Sequence, residues 1–165
     1  MSALATGKTA PDFTMQSLDG KQFSLKDALA RGPVLLAFFK VSCPVCQFAF
    51  PFLERIYKRY GSRNLTIVGI SQNDAKGTAA FLKEYGVTFP VLLDDSNTYP
   101  VSNAYGLTNV PTLFWVGTDG EIEISSVGWL RKEMEQISGK AAKITGESKA
   151  PLFLAGEQIP DYRAG

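Results

Sequence analysis

Both cysteines of this sequence, Cys43 and Cys46, lie in one short stretch, KVSCPVCQFAFP (residues 40–51). A pair with this spacing can serve as a redox dithiol, as half of a zinc site, or as a peroxidatic cysteine with its resolving partner. If the pair begins a helix, unpaired backbone N–H groups and the positive end of the helix dipole favour the thiolate form of Cys43. Cys46 would then lie nearly one turn further on, directed inward. We therefore expect Cys43 to attack a disulfide and Cys46 to resolve the mixed disulfide.

Two neighbours of the cysteines bear on this chemistry. Pro44 would fall in the first turn of the helix, where a missing N–H group costs little. Lys40 stands at the end of the preceding strand and could place a positive charge near Cys43, which would stabilise its thiolate. The alternative for Lys40 is a side chain that extends from the strand into solvent. For the cysteine pair, the corresponding alternative is two buried and inert thiols.

The sequence contains no histidine. This absence removes Ser-His-Asp and Cys-His catalysis, the commonest metal ligand, and the usual proton shuttle at neutral pH. With two cysteines, one chain cannot build a zinc centre of four cysteines, or of two cysteines and two histidines. A zinc site would need a second chain or carboxylate ligands. We therefore predict neither a metal nor another cofactor.

Composition and charge are those of an ordinary globular domain. The chain has 165 residues, of which 45% are hydrophobic and 20% charged, and its formal net charge is +1. With a net charge so close to zero, the chain has no overall positive electrostatic potential that would attract nucleic acid. The longest apolar run, PVLLAFF (33–39), is far too short to cross a bilayer, so we expect no membrane partner. No basic region followed by an apolar core opens the sequence. This predicts a cytoplasmic protein if Met1 is the natural start, and an extracytoplasmic one if a leader was trimmed.

The hydrophobic pattern alternates between strands and helices. Continuous apolar runs predict buried strands at 33–40 and 65–71, and between them a helical period predicts a helix from Cys43 to about Tyr60, with Pro51 expected to kink it. This order predicts an α/β fold in which a central mixed β-sheet carries helices on both faces. The remaining predicted elements are a short helix LKDAL capped by Ser24, a helix AKGTAAFLKEYG capped by Asp74, a strand VLLD, a short helical segment SNTYPVSNAYG, a hairpin of PTLFWV and EIEISSV, and a final helix LRKEMEQISGKAAKI.

Four separated segments occur in the order seen in AhpC/TSA-type thioredoxin-fold proteins. Over residues 10–140 the chain most resembles the TlpA/ResA-like thiol–disulfide oxidoreductases. The resemblance implies a thioredoxin-like domain over residues 1–147, which exchanges disulfides with a protein or small molecule and receives electrons from an external donor. Residues 148–165 hold an apolar patch among Pro, Gly and polar residues, and we predict a tail that packs on the domain or on a partner. The segments are APDFTMQSLDGKQFSLKDAL, VLLAFFKVSCPVC, YGVTFPVLLD and VPTLFWVGTDGEI.

The resemblance also assigns a substrate-binding loop. Val110 and Pro111 match the cis-proline loop that lies beside the dithiol in this fold. By that match the Val110–Pro111 bond is cis, and the backbone of Val110 pairs with a substrate peptide in β fashion. We therefore take Pro111, Val110 and Pro44 as substrate-binding candidates. From the residues alone, Pro111 would instead be a proline at the entry to a strand.

Three departures from the family pattern leave the general base unassigned. Ala37 stands where thioredoxins carry a buried acid, and Ser42 stands where the family usually has Trp. After the second cysteine, Gln47-Phe48-Ala49-Phe50 stands where the family often has a charged Arg-x-Glu pattern. Asp74 is the nearest acidic residue by rough alignment, although a helix N-cap is its expected role.

Two alternative functions remain open. Peroxiredoxins share the APDF opening, but their reactive cysteine follows the motif P-x-x-x-[ST]-x-x-C, and counting back from Cys43 gives Lys40 and Leu36 in place of the hydroxyl residue and the proline. The second alternative is a non-catalytic binding module with an apolar groove lined by Phe48, Phe50 and the tail. Replacing both cysteines would discriminate, because a binding module keeps its affinity for a partner.

Overall fold

The computed structural model describes residues 2–61 and 64–165, which form nine strands and five helices within these ranges. In chain order they are β1 (Thr14–Gln16), β2 (Gln22–Ser24), α1 (Leu25–Leu29), β3 (Val34–Phe39), α2 (Pro44–Tyr60), β4 (Thr66–Ser71), α3 (Ala75–Tyr85), β5 (Val91–Leu93), α4 (Pro100–Ala104), β6 (Thr112–Val116), β7 (Ile122–Val127), β8 (Trp129–Leu130), α5 (Arg131–Thr145) and β9 (Tyr162–Arg163).

The central sheet has five strands in the order β5-β4-β3-β6-β7. Strands β3, β4 and β5 are parallel, whereas β6 runs antiparallel to β3 and β7 antiparallel to β6. All six residues of the central strand β3 are buried, as its uninterrupted apolar sequence predicted. A parallel connection needs a crossover, and α2 supplies it between β3 and β4. The predicted α/β fold with a mixed sheet is confirmed.

Alternate residues of β3 face two separate hydrophobic layers. Leu35, Ala37 and Phe39 pack with buried residues of α2, α3 and α5, while Leu36 and Phe38 pack with α1 and Tyr105 on the opposite face. Because side chains alternate along a strand, the single apolar strand β3 contributes to both hydrophobic layers. The carboxyl end of β3, held between these layers, sets the position at which α2 begins. No helix within residues 2–61 and 64–165 combines the length and the apolar character needed to cross a membrane.

The predicted helix starts match the observed ones closely. Ser24 Oγ accepts a hydrogen bond from the Asp27 N–H at 3.2 Å, and Asp74 Oδ1 accepts one from the Gly77 N–H at 2.8 Å, so both N-caps are confirmed. The β1–β2 hairpin was not predicted from the sequence. Its signal is the turn around Gly20, whose φ of 86° favours glycine.

Residues 148–165 lie against the domain. The guanidinium of Arg55 donates hydrogen bonds to both carboxylate oxygens of Glu157, at 2.7 and 2.6 Å, and to the Leu152 carbonyl at 3.2 Å. Further along, β9 pairs antiparallel with β8 in a small second sheet that the sequence did not suggest. The tail is therefore held by one ion pair and one short strand pair, while the boundary at residue 147 stays a prediction.

The apolar groove considered for a binding module would need both Phe48 and Phe50 in its lining. Phe50 is fully buried, where its ring packs against Phe39 and Phe89. Phe48 is half-buried and packs edge-to-face on Trp129, with centroids 4.8 Å apart. Phe50 therefore cannot line such a groove, whereas Phe48 keeps part of its surface exposed.

Candidate active site

Cys43 is the N-cap residue of α2, at the carboxyl end of β3. Its backbone is extended, with φ −84° and ψ 114°, and Pro44 follows as the first helical residue. The N–H of Cys46 donates a hydrogen bond to Cys43 Sγ at 3.2 Å. Sulfur thus takes the acceptor role that a serine or aspartate oxygen has in most N-caps. The sulfur of Cys43 therefore lies at the N-terminal end of α2.

The two thiols differ in accessibility. Both are free, but Cys43 is half-buried whereas Cys46 is fully buried. Burial raises the pKa of the Cys46 thiol, and its hydrogen bond with Cys43 raises it further. A thiol held protonated inside the domain cannot begin an attack on an external disulfide. Cys43 is therefore the more accessible of the two thiols.

The Val110–Pro111 bond is cis, and its loop lies beside the dithiol, as the resemblance implied. The thiol of Cys43 donates a hydrogen bond to the Val110 carbonyl at 3.4 Å, although 67 residues separate the two. Thr112 Oγ1 donates to the Asn109 carbonyl at 2.7 Å, and Gly128 N–H donates to the Pro111 carbonyl at 2.8 Å. These bonds hold the loop from both sides.

A groove of about 340 Å³ opens next to Cys43 and the cis-proline loop. Its lining mixes polar and apolar side chains, and Lys40 is the one charged side chain among the lining residues. Lys40 is exposed, and among the described residues it forms no ion pair. Its role in stabilising the Cys43 thiolate stays a prediction. The lining residues are Lys40, Gln72, Tyr99, Ser102, Asn103, Leu107, Thr108, Asn109, Val110 and Gly165.

Two side chains that sequence reasoning missed hold the turn before Cys43. Asn73 Oδ1 accepts a hydrogen bond from the Val41 N–H at 2.9 Å, and Gln47 Nε2 donates one to the Val41 carbonyl at 3.0 Å. Asn73 lies 32 residues from its partner, so no local pattern could have indicated the contact. Together the two amides set the position at which β3 passes into α2.

The surroundings of Cys46 contain apolar side chains in place of an acid. Ala37 on β3 is fully buried and belongs to the same hydrophobic cluster as Cys46. Asp74 is engaged as the N-cap of α3. Within the described ranges, no group of three or more Cys, Asp or Glu side chains is arranged to hold a metal ion. The arrangement offers thiol chemistry through Cys43 and Cys46.

Comparison with protein families places this site in a known group. Residues 6–125 match the model of the AhpC/TSA family. The chain is 31% identical over 133 residues to the thiol-disulfide oxidoreductase ResA of Geobacillus thermodenitrificans, which covers 80% of this chain and 75% of that protein. The ResA protein of Bacillus subtilis is also 31% identical over 133 residues, covering 80% and 73%.

Solved structures share the fold. The thioredoxin domain of a thiol-disulfide oxidoreductase from Bacteroides vulgatus superposes with a TM-score of 0.74 at 23% identity, covering 87% of this chain and 99% of that one. At this identity the likeness concerns the fold, and it agrees with the strand order around β3.

Proposed function

Since the chain belongs to the AhpC/TSA family and is a thiol–disulfide oxidoreductase with a thioredoxin fold, we propose that Cys43 is its attacking thiol and Cys46 its resolving thiol. The observation that carries this assignment is the difference in accessibility between the two sulfurs. Cys43 is half-buried at the start of α2, whereas Cys46 is fully buried one turn later.

The proposed reaction has two exchange steps. The thiolate of Cys43 attacks one sulfur of a substrate disulfide, a mixed disulfide forms, and the other substrate sulfur leaves as a thiolate. Cys46 then attacks Cys43 Sγ, which releases the second substrate sulfur and forms the Cys43–Cys46 disulfide. The substrate gains two electrons and two protons, and an external dithiol donor later restores the reduced pair.

The second step needs an acceptor for the proton of Cys46. Burial raises the pKa of this thiol, so it remains protonated until the mixed disulfide has formed. Ala37 offers no carboxylate at the position where thioredoxins carry an acid. We assign the first substrate sulfur as the acceptor, since it left as a thiolate when the mixed disulfide formed.

The cis-proline loop is the proposed docking edge for the substrate backbone. Among the described residues, the Val110 N–H group has no hydrogen-bond acceptor, and the neighbouring Pro111 has no N–H to offer. An extended peptide can therefore pair with Val110 in β fashion while its disulfide meets Cys43. Pro44 and Lys40 lie at the rim of this approach. The predicted cytoplasmic location stays a prediction.

Cysteine variants and the reduction potential test this function. The Cys46→Ser variant should accumulate a mixed disulfide with a substrate, whereas Cys43→Ser should form none and should lose disulfide reduction. A potential of the pair near about −270 mV in dithiothreitol buffers would make it a reductant like thioredoxin, and one near about −120 mV would make it an oxidant. Disulfide reduction by the Cys43→Ser variant, or a pair that forms no disulfide in any buffer, would refute the proposal.

A further inference from the structure

The last residues of the chain run along the active-site face. In β9, Arg163 pairs with Trp129 and Tyr162 with Leu130. The guanidinium of Arg163 lies over the Phe48 ring, 5.2 Å from its centroid, which adds a cation–π contact at the start of α2. The segment is thus fixed to the domain one or two residues before it reaches the cis-proline loop beside the dithiol.

Beyond β9, the backbone passes between Gly128 and the cis-proline loop. A Cβ atom on Gly128 would lie 2.7 Å from the Arg163 carbonyl oxygen and 3.2 Å from the Gly165 nitrogen, so the two backbones are in close contact. A Cβ atom on Gly165 would collide with the Val110 carbonyl oxygen. Asn109 Nδ2 donates a hydrogen bond to the main-chain oxygen of Gly165 at 3.3 Å. Gly165 therefore lies against the carbonyl that also accepts the Cys43 thiol.

The contact between Gly165 and the Val110 carbonyl blocks one side of the cis-proline loop, at which we propose that the substrate backbone docks. Gly165 and Val110 both line the groove beside Cys43, so the segment forms part of the groove wall. The rest of the lining, which includes Lys40, Tyr99 and Asn103, comes from other parts of the chain and stays open to a peptide that pairs with Val110. The family match ends at residue 125, well before this segment.

We propose that residues 162–165 form a fixed wall of the substrate site, which excludes bulky folded protein disulfides and admits small or extended disulfides along the groove. The proposal rests on the proposed function, because the wall acts on access to Cys43. A disulfide on a rigid, bulky surface would bring neighbouring atoms into the space that Ala164 and Gly165 occupy. A small disulfide has no such neighbours.

The experiment compares two substrates with a chain that ends at Arg163. This variant keeps β9 and the Arg163 contact with Phe48, but it lacks the two residues that reach Val110. The assay measures kcat/KM for reduction of insulin and of oxidised glutathione. We expect the ratio of the insulin value to the glutathione value to rise at least about tenfold, the scale on which one steric contact discriminates between substrates.

A second variant covers the case in which the shortened chain does not fold. Gly165→Ala keeps the full length, but its Cβ atom cannot share space with the Val110 carbonyl oxygen, so the segment must move away. The same rise in the ratio is expected for it. Gly139→Ala on α5 is the matched control, because its Cβ atom would meet no atom closer than 3.7 Å. Its ratio should equal that of the original chain.

The possible results of this experiment distinguish a failure of the wall proposal from a failure of the proposed function. An unchanged or lower ratio in the folded variants, with the original chain active, overturns the wall and leaves the dithiol mechanism in place. Failure of the original chain to reduce either substrate refutes the proposed function, and the wall with it. A rise in both variants but not in Gly139→Ala supports the wall. A general loosening of the fold would instead lower both rates together.

Discussion

Cys43 has a structural role that can be separated from its chemistry. As the N-cap of α2 it accepts the Cys46 N–H at 3.2 Å. Serine places an oxygen where cysteine has sulfur and is among the preferred N-cap residues, whereas alanine offers no acceptor. Cys43→Ser and Cys43→Ala should therefore be equally inactive but unequally stable. The comparison isolates the cap from the reaction.

The magnitude follows from the cap itself. Replacing a serine N-cap by alanine costs about 0.5–2 kcal/mol, typically about 1. The sulfur of a thiol is a weaker acceptor than a hydroxyl oxygen, so Cys43→Ser should be at least as stable as the original chain. Cys43→Ala should be less stable than Cys43→Ser by about 1 kcal/mol. For a domain of this size that difference lowers Tm by about 2–4 °C.

The assay is thermal unfolding under reducing conditions, followed by circular dichroism, together with insulin reduction for each variant. Ser24→Ala is the control, since it removes a similar cap from α1, far from the dithiol, and should keep activity. Equal Tm values for Cys43→Ser and Cys43→Ala, both below that of the original chain, would show that sulfur stabilises the site by other contacts. Activity in either variant would refute the role of Cys43 as attacking thiol.

Three further predictions follow from buried or paired groups. Iodoacetamide at pH 8 should modify Cys43 and spare Cys46 in the folded, reduced protein, because Cys46 is fully buried and its thiol pKa is raised; mass spectrometry of the peptides measures this. Hydrogen bonds from Arg55 hold the pKa of Glu157 at about 2, below its usual 4.5. The stability that this carboxylate contributes to the folded state is therefore present above about pH 4.5 and is lost as pH falls towards 2. The unfolding free energies of Glu157→Gln and of the original chain, measured in urea, should thus differ at pH 7, and the difference should shrink as pH falls and vanish near pH 2. Glu54→Ala should cost about 2–3 kcal/mol in urea unfolding, because the buried carboxylate accepts two backbone N–H groups of the segment before β5.

Each of these three predictions has its own control and its own contradicting result. In denaturant, both cysteines should react with iodoacetamide, and labelling of Cys46 in the folded state would show that the pair is open. Glu135→Gln, which removes one partner of a more exposed ion pair, is the matched control for Glu157→Gln. Glu84→Ala, on the exposed side of α3, is the control for Glu54→Ala. A cost below about 0.5 kcal/mol for Glu54→Ala would mean that water replaces its hydrogen bonds.

Local patterns predicted the elements of the fold well because each depends on neighbouring residues. The apolar run of β3 and the caps Ser24 and Asp74 placed helices and strands within one residue or so of the observed bounds. The spacing of Cys43 and Cys46 likewise located the dithiol at the start of α2. The short strands β1, β2, β8 and β9, of two or three residues each, were not predicted because they carry too little periodicity.

Sequence by itself determined which chemistry is available: with no histidine and one closely spaced cysteine pair, thiol exchange was the reaction that the residue types favoured. The spacing also predicted Cys46 as the inner thiol, but only the tertiary structure decided that Cys46 is fully buried, since this burial depends on packing against distant residues. The tertiary structure also decided that Val110 meets Cys43 across 67 residues of sequence and that Gly165 lies beside the same carbonyl. Contacts between residues so far apart are set by the packing of the whole chain around β3, and no local pattern encodes them.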